Sequence, residues 1–267
     1  MTVAGERFRV DTDKAVELAV PLDFDGVQPR AFGMPRASAE VVEGGGFVGD
    51  TRRGGSVNCE TVELTAHGNG THTEGVGHIT DERISVGDAL PEPVVPATVL
   101  TMSLASLGDV DEGYEGQYAP TDRVVTRRRL ADATDRIGGD DSLCRAVIIG
   151  VDSSEAFDPR ADHSGTNPPY LTSEAIQWLR DVGCDHLLVE FPSVDREDDG
   201  GGVPNHHRFF GVEPGRRASE QSRRRTITEL IDIPTGLDDG LYALSLRFPR
   251  FCLDAAPSRP VIYPLQR

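Results

Sequence analysis

Short apolar runs rich in β-branched residues recur along the chain and set its expected architecture. Thr98–Leu104, Arg145–Val151, His186–Phe191, Thr226–Ile233, Leu241–Phe248 and Val261–Leu265 are such runs. Each is too short for a typical helix and lacks a polar face, which predicts strands buried inside a sheet. Val57–Ala66 differs, because Val57, Cys59, Val62 and Leu64 stand among polar residues. That alternation predicts a half-buried strand, or a strand with a bulge. The clearest helix spans Ser173–Val182, with Ala175, Ile176, Leu179 and Val182 on one stripe. Thr172 or Ser173 can cap it, and Gly183 offers a left-handed stop. A second helix is expected over Thr121–Ala133. Many strands with few helices, partly in strand–helix–strand order, predict a single mixed α/β domain over residues 1–267. The Gly/Asp/Pro-rich stretches 196–205 and 211–223 are expected to be loops.

Composition narrows the partners. Hydrophobic residues make up 37% of the chain and charged residues 27%, as in ordinary globular proteins. No stretch approaches the roughly 20 apolar residues of a membrane helix. Met1–Val10 lacks the apolar core of a signal peptide, so a cytoplasmic location is expected. The net charge of −17 argues against nucleic acid and anionic membranes as partners, since both would be repelled. Only Arg127–Arg129 and the run Arg216–Arg225 concentrate positive charge. That run reads as a solvated loop, or as a means of drawing in an anionic substrate. Lys14 is the sole lysine, and aspartates occur in pairs such as Asp198-Asp199. A GC-rich genome explains arginine in place of lysine but not the aspartate; adaptation to high salt explains the acidity. Cys59, Cys144, Cys184 and Cys252 form no C-x-x-C pair, excluding a zinc ribbon or dithiol motif, and are expected to be buried free thiols.

The histidines carry most of the chemistry. Five of seven fall in two segments, His67–His78 and His206-His207. His72 and Glu74 are two apart, so an extended backbone places both side chains on one face, where they can bind a divalent metal. The glycines at 68, 70, 75 and 77 allow turns that bring His67 and His78 back toward that face. Further ligands must come from elsewhere, with His206 or His207 and Glu229 as candidates. Asp162-His163 lies in a polar stretch and is expected at the surface. Trp178 is expected in the core rather than under a substrate. Neither a G-x-S-x-G nucleophile elbow nor a P-loop or dinucleotide fingerprint is present.

The segment Gly70-Thr71-His72-Thr73-Glu74-Gly75-Val76-Gly77-His78 resembles the HxGTHxDxPxH signature of the cyclase-type metal-dependent hydrolases. Bacterial kynurenine formamidase and isatin hydrolase belong to that family. Leu171–Leu179 is similar to its LSxEAAxWL helix, and Glu190–Asp195 to its DxPSID strand end. His206-His-Arg-Phe-Phe210 and Thr226-Ile-Thr-Glu229-Leu230 resemble its later ligand segments. The agreement runs in order from about residue 45 to 235.

The resemblance implies a mixed-sheet swivelling β/β/α fold and one or two divalent ions, zinc or manganese. It makes His72, Glu74, His206 and Glu229 ligands, with Glu74 where the family usually has aspartate. His67 stands one position before the family's first histidine; a strict strand would turn it away, and a bulge at Gly68 would restore it. His78 matches the acid/base histidine, and Phe209 and Phe210 are candidates for lining a substrate pocket. The implied reaction is hydrolysis of a small amide (an aryl formamide, an N-formylkynurenine-like compound or a cyclic amide) by metal-activated water, in a homodimer or homotetramer. The alternative is a member that binds metal or a small ligand without turnover.

Overall fold

The structure, a computed structural model, describes residues 1–3, 5–89, 92, 94–139 and 145–266. Each of the six apolar runs contributes a strand to one mixed sheet, ten-stranded among the described residues. Its strands are β1 (Arg9–Val10), β2 (Val16–Glu17), β3 (His72–Gly75), β4 (Val95–Met102), β5 (Ala146–Val151), β6 (His186–Val189), β7 (Thr226–Glu229), β8 (Gly240–Ser245), β9 (Ala255–Pro257) and β10 (Val261–Gln266). They lie in the order β9-β3-β7-β6-β5-β4-β8-β10-β1, with β2 also pairing β10. The central four, β4 to β7, are parallel, and the wings on both sides are antiparallel.

Four helices follow the parallel strands: α1 (Arg127–Arg136), α2 (Ser173–Asp181), α3 (Pro204–Phe210) and α4 (Glu220–Arg224). The two-residue period of a strand divides the core into two layers. Leu100, Val147, Ile149, Leu187, Val189 and Ile227 point toward the helices and pack on Leu130, Ile176, Leu179 and Phe209. Val99, Ile148 and Leu188 point the other way, onto Leu18, Ile231, Leu244 and Ile262. Burial on both faces is why these strands read as unbroken apolar runs. Ile148 and Ile149 are both fully buried, each contributing roughly 1.5–3 kcal/mol relative to exposure. Helix α2 begins where expected, with the Thr172 hydroxyl accepting the Ala175 amide, and Gly183 follows its end at φ +87°.

Several expectations fail for identifiable reasons. The stretch 57–66 yields a strand only at Glu60–Glu63, and all four residues are exposed. It pairs with Ser38–Val41 in a two-stranded ribbon, so its alternation marks ribbon faces and not a core face. The helix expected from Thr121 starts at Arg127 instead. Arg123–Val125 is a short strand set between Ala105–Ser106 and Tyr170–Leu171, and the Thr126 hydroxyl then caps α1. Pro204 opens α3 and Ser219 caps α4, so neither expected loop is structureless throughout. Cys184 is buried, but Cys59 and Cys252 are exposed; Cys144 lies outside the described residues. No helix among the described residues is long and apolar enough to cross a membrane.

Candidate metal centre

Strand β3 lies between β7 and β9, near one edge of the sheet. Its antiparallel register with β7 sets His72 opposite Glu229 and Glu74 opposite Ile227. Facing residues on paired strands share a face, and His72 Nε2 lies 3.4 Å from Glu229 Oε2. Thr73 points to the other face, where its hydroxyl meets that of Thr228 at 2.8 Å. Leu230, at φ +54°, ends β7 directly after Glu229, an unusual conformation for a branched residue.

Helix α3 brings the next candidate residue. Its first amides have no partner within the helix, and the Asp195 carboxylate accepts those of Asn205 (2.8 Å) and His206 (3.0 Å). The same carboxylate lies 2.6 Å from His206 Nδ1 and accepts the Tyr114 hydroxyl at 2.8 Å. With Nδ1 held, His206 Nε2 faces Glu74 Oε1 at 2.8 Å and Glu229 Oε1 at 3.8 Å. His207 points elsewhere, its Nδ1 2.6 Å from the Val212 carbonyl oxygen.

His67 enters by a route the strand argument did not anticipate. It sits on a 3₁₀ turn, Ala66–Gly68, and not on a strand. Gly70, at φ +98°, turns the chain between this turn and β3. His67 Nδ1 then lies 3.1 Å from Glu74 Oε2. His78 follows β3 on a second 3₁₀ turn, and its ring stacks on that of His67 with centroids 4.1 Å apart. This turn needs Gly77, because a Cβ there would meet the Ile84 carbonyl oxygen at 2.3 Å.

Asp254 was not singled out by the sequence reading. It immediately precedes β9, whose pairing with β3 carries it to the cluster. Its Oδ2 lies 2.8 Å from His67 Nε2 and 3.3 Å from His78 Nδ1. Nothing around Ala255-Ala256-Pro257 announces a site; only the pairing does. Asp195 lay inside a recognised segment, but its grip on His206 is visible only in three dimensions.

The cluster is stratified by burial. His72, Glu74, His206 and Glu229 are buried, whereas His67, His78 and Asp254 are partly open to solvent. Burial alone would raise the Glu74 carboxyl, but the charges of His78 and His206 outweigh it and hold the group well below its usual range. Burial works against protonation of His206, and the charge of Glu74 with the Asp195 contact raises it nonetheless. His67 is likewise carried up to about 10, against burial, by Asp254 and Glu74.

The fit to a cation rests on orphaned atoms. His72 Nε2, both Glu74 oxygens and His206 Nε2 are buried with no hydrogen bond. They crowd together, His206 Nε2 lying 2.8 Å from Glu74 Oε1, so that imidazole nitrogens and carboxylate oxygens face one small space. Buried polar atoms without partners are costly, and a cation coordinated by them removes that cost. His67, His72 and Glu74 can hold an ion together, as can Glu74, His78 and His206.

The remaining expectations divide. Phe209 and Phe210 do not line a pocket: both rings are fully buried in the core, edge to face, because α3 packs against α2 and the sheet. His163 is also buried, stacked on Phe157, although Asp162 beside it is exposed and paired with Arg30. Trp178 packs against the core, as expected. In the arginine run, Arg225 is buried and Arg223 pairs with Glu82, while Arg216, Arg217 and Arg224 are exposed.

A family model described as "Putative cyclase" matches residues 16–196, well over half of the sequence. The chain belongs to the cyclase family. The matched part carries His67, His72, Glu74, His78 and Asp195, while His206, Glu229 and Asp254 lie beyond it. No curated protein matches this cyclase-family chain. Among solved structures it is similar to isatin hydrolase A from Labrenzia aggregata bound to benzyl benzoate. That likeness has a TM-score of 0.61 and 18% identity, over 94% of this chain and 93% of that one. It is also similar to a protein described as a predicted metal-dependent hydrolase from Bacillus stearothermophilus, with a TM-score of 0.58 and 16% identity over 94% and 98% of the two chains. Isatin hydrolase A from Ralstonia solanacearum gives 0.58 and 16% over 94% and 91%. At these identities the likeness shows a shared fold, the mixed α/β architecture of the cyclase family.

Proposed function

We propose that this cyclase-family protein is a metal-dependent hydrolase of a small amide, with the cluster on β3, β7 and α3 as its active site. The observation that carries this reading is the stratification of the cluster. Buried, unpartnered donors form its floor, and a half-open histidine held by a carboxylate stands at its mouth. His72, Glu74, His206 and Glu229 would hold the cation, with His67 beside Glu74 for a second one; imidazole and carboxylate donors suit zinc or manganese. When bound, such a cation brings the pKa of water toward neutrality and polarises a carbonyl.

The chain's own residues do the rest. Asp254 accepts from His78 Nδ1, which leaves His78 Nε2, 3.8 Å from Glu74 Oε2, facing the ligands. That nitrogen takes the proton of the attacking water and returns it to the departing amide nitrogen. Asp195 fixes the His206 ring, as carboxylates behind metal-bound histidines do. The side bearing His67, His78 and Asp254 is the open one, so the substrate enters there. An aryl formamide, an N-formylkynurenine-like compound or a cyclic amide fits this chemistry, and the likeness to isatin hydrolases favours the cyclic amide.

The test compares wild type with His78→Ala on formanilide and isatin, with metal content measured in parallel. The expected result is a fall in kcat of about 100-fold or more at unchanged metal content. A variant that keeps its rate, or a metal-loaded wild type inert toward both compounds, contradicts the reading.

A further inference from the structure

Each imidazole of the metal centre has one nitrogen turned toward Glu74 or Glu229 and the other held from behind. For His72 the holder is the Gly70 carbonyl oxygen, 3.0 Å from Nδ1, and for His206 it is Asp195, 2.6 Å from Nδ1. For His67 and His78 it is one and the same atom. Asp254 Oδ2 lies 2.8 Å from His67 Nε2 and 3.3 Å from His78 Nδ1. The opposite ends of these two rings also share an atom, Glu74 Oε2, at 3.1 Å from His67 Nδ1 and 3.8 Å from His78 Nε2. The rings, 4.1 Å apart and inclined at 26°, therefore lie side by side between two carboxylate oxygens.

These two rings need a holder more than the others do. His72 and His206 are buried on a strand and a helix, whereas His67 and His78 sit on 3₁₀ turns with side chains 24% and 29% exposed. Packing alone does not settle the orientation of a half-exposed ring, and a fixed acceptor does. Asp254 is fixed through its backbone. Its carbonyl oxygen accepts the Gly75 amide at 2.9 Å, and that of Leu253 accepts the Val86 amide at 2.9 Å. Ala255, next in the chain, pairs with Glu74 across strands. None of these bonds uses the carboxylate, so a shorter side chain at 254 keeps them. A carboxylate only accepts, which puts the hydrogen of each ring on the nitrogen facing Asp254 and the lone pair on the one facing Glu74.

Resting on the metal-dependent reading above, we propose that Asp254 is a positioning residue for two groups at once. It presents His67 Nδ1 to a second cation beside Glu74, and His78 Nε2 to the attacking water. The rest of the centre is held by other groups: His72 by Gly70, His206 by Asp195, and Glu229 by the Val194 amide at 2.9 Å. Removing the carboxylate thus loosens the second ion and the acid/base histidine together and spares the first ion.

Zinc affinity is measured by competition with a chelator in the full-length wild type, Asp254→Ala, His67→Ala and the double variant. Wild type should bind two equivalents. Asp254→Ala should keep the tighter one and weaken the second by about 10–100-fold. The double variant should bind no more weakly than His67→Ala, because the carboxylate acts through that ring. With zinc saturating, Asp254→Ala should also lower kcat on formanilide or isatin about tenfold or more, and lower it no further in a His78→Ala background. A carboxylate that merely supports the fold would weaken both equivalents alike and add its effect to that of His67→Ala. That result overturns the proposal, as does a second equivalent of unchanged affinity, an unaltered kcat at saturating zinc, or a wild type that binds a single ion. A wild type that binds no metal, or is inert toward both compounds, contradicts the metal-dependent reading itself.

Discussion

Burial pushes the Glu190 carboxyl up to about 7, although its oxygens accept the amides of Val151 at 2.5 Å and Ile233 at 2.8 Å. The sign follows from linkage. A carboxyl with a raised folded pKa favours the folded state while it is protonated, so its contribution is present below the unfolded value of 4.5. That contribution is lost as pH rises toward 7, and amounts to at most about 3 kcal/mol. Glu190→Gln cannot ionise, so its stability relative to wild type should rise between about pH 5 and about pH 8 in urea denaturation. A constant difference across that range would mean that Glu190 is ionised throughout. At the same scale, His67 shows the limit of a register argument. Counting positions from Gly70-Thr71 supposes a strand, and the 3₁₀ turn at Ala66–Gly68 rotates the side chain independently of strand parity. The spacing of His72 and Glu74 was legible because both lie on one real strand.

Elements were legible in proportion to their length and burial. The six short apolar runs all appear as strands, the central four buried on both faces, and α2 appears because its stripe, cap and terminal glycine agree. Strand β9 has three residues and no periodicity to read, so Asp254, which it carries beside His67 and His78, left no trace in the sequence. Helix α3 has seven residues and no N-cap hydrogen bond from the preceding Val203, which is itself at φ +38°. The Asp195 carboxylate substitutes for that cap and holds the His206 ring at once. Asp195→Ala should therefore weaken metal binding by about 10–100-fold, read by competition with a chelator. Unchanged affinity would show that α3 seats His206 without the carboxylate.

Across the whole molecule the elements converge: two 3₁₀ turns, β3, α3, β7 and the residue before β9 deliver seven side chains to one place. Sequence order said little about this, because β3 and β9 join the sheet on the far side of β7 from their chain neighbours. Charge acts at the same scale. With a net charge of −17, mutual repulsion opposes compaction, and salt shortens its range from about 10 Å at 0.1 M to about 3 Å at 1 M. Exposed pairs such as Arg259 with Glu17 are screened too, but each contributes little. The thermal midpoint should thus rise by several degrees from about 0.1 M to about 2 M KCl. A flat or falling midpoint would show that self-repulsion is already balanced within the fold.

Elemental analysis of the purified, extensively dialysed protein, beside His72→Ala, tests the convergence most directly. One or two equivalents of zinc or manganese in wild type, lost in the variant, is the expected result. A wild type that is metal-free and takes up neither ion when they are added would contradict it.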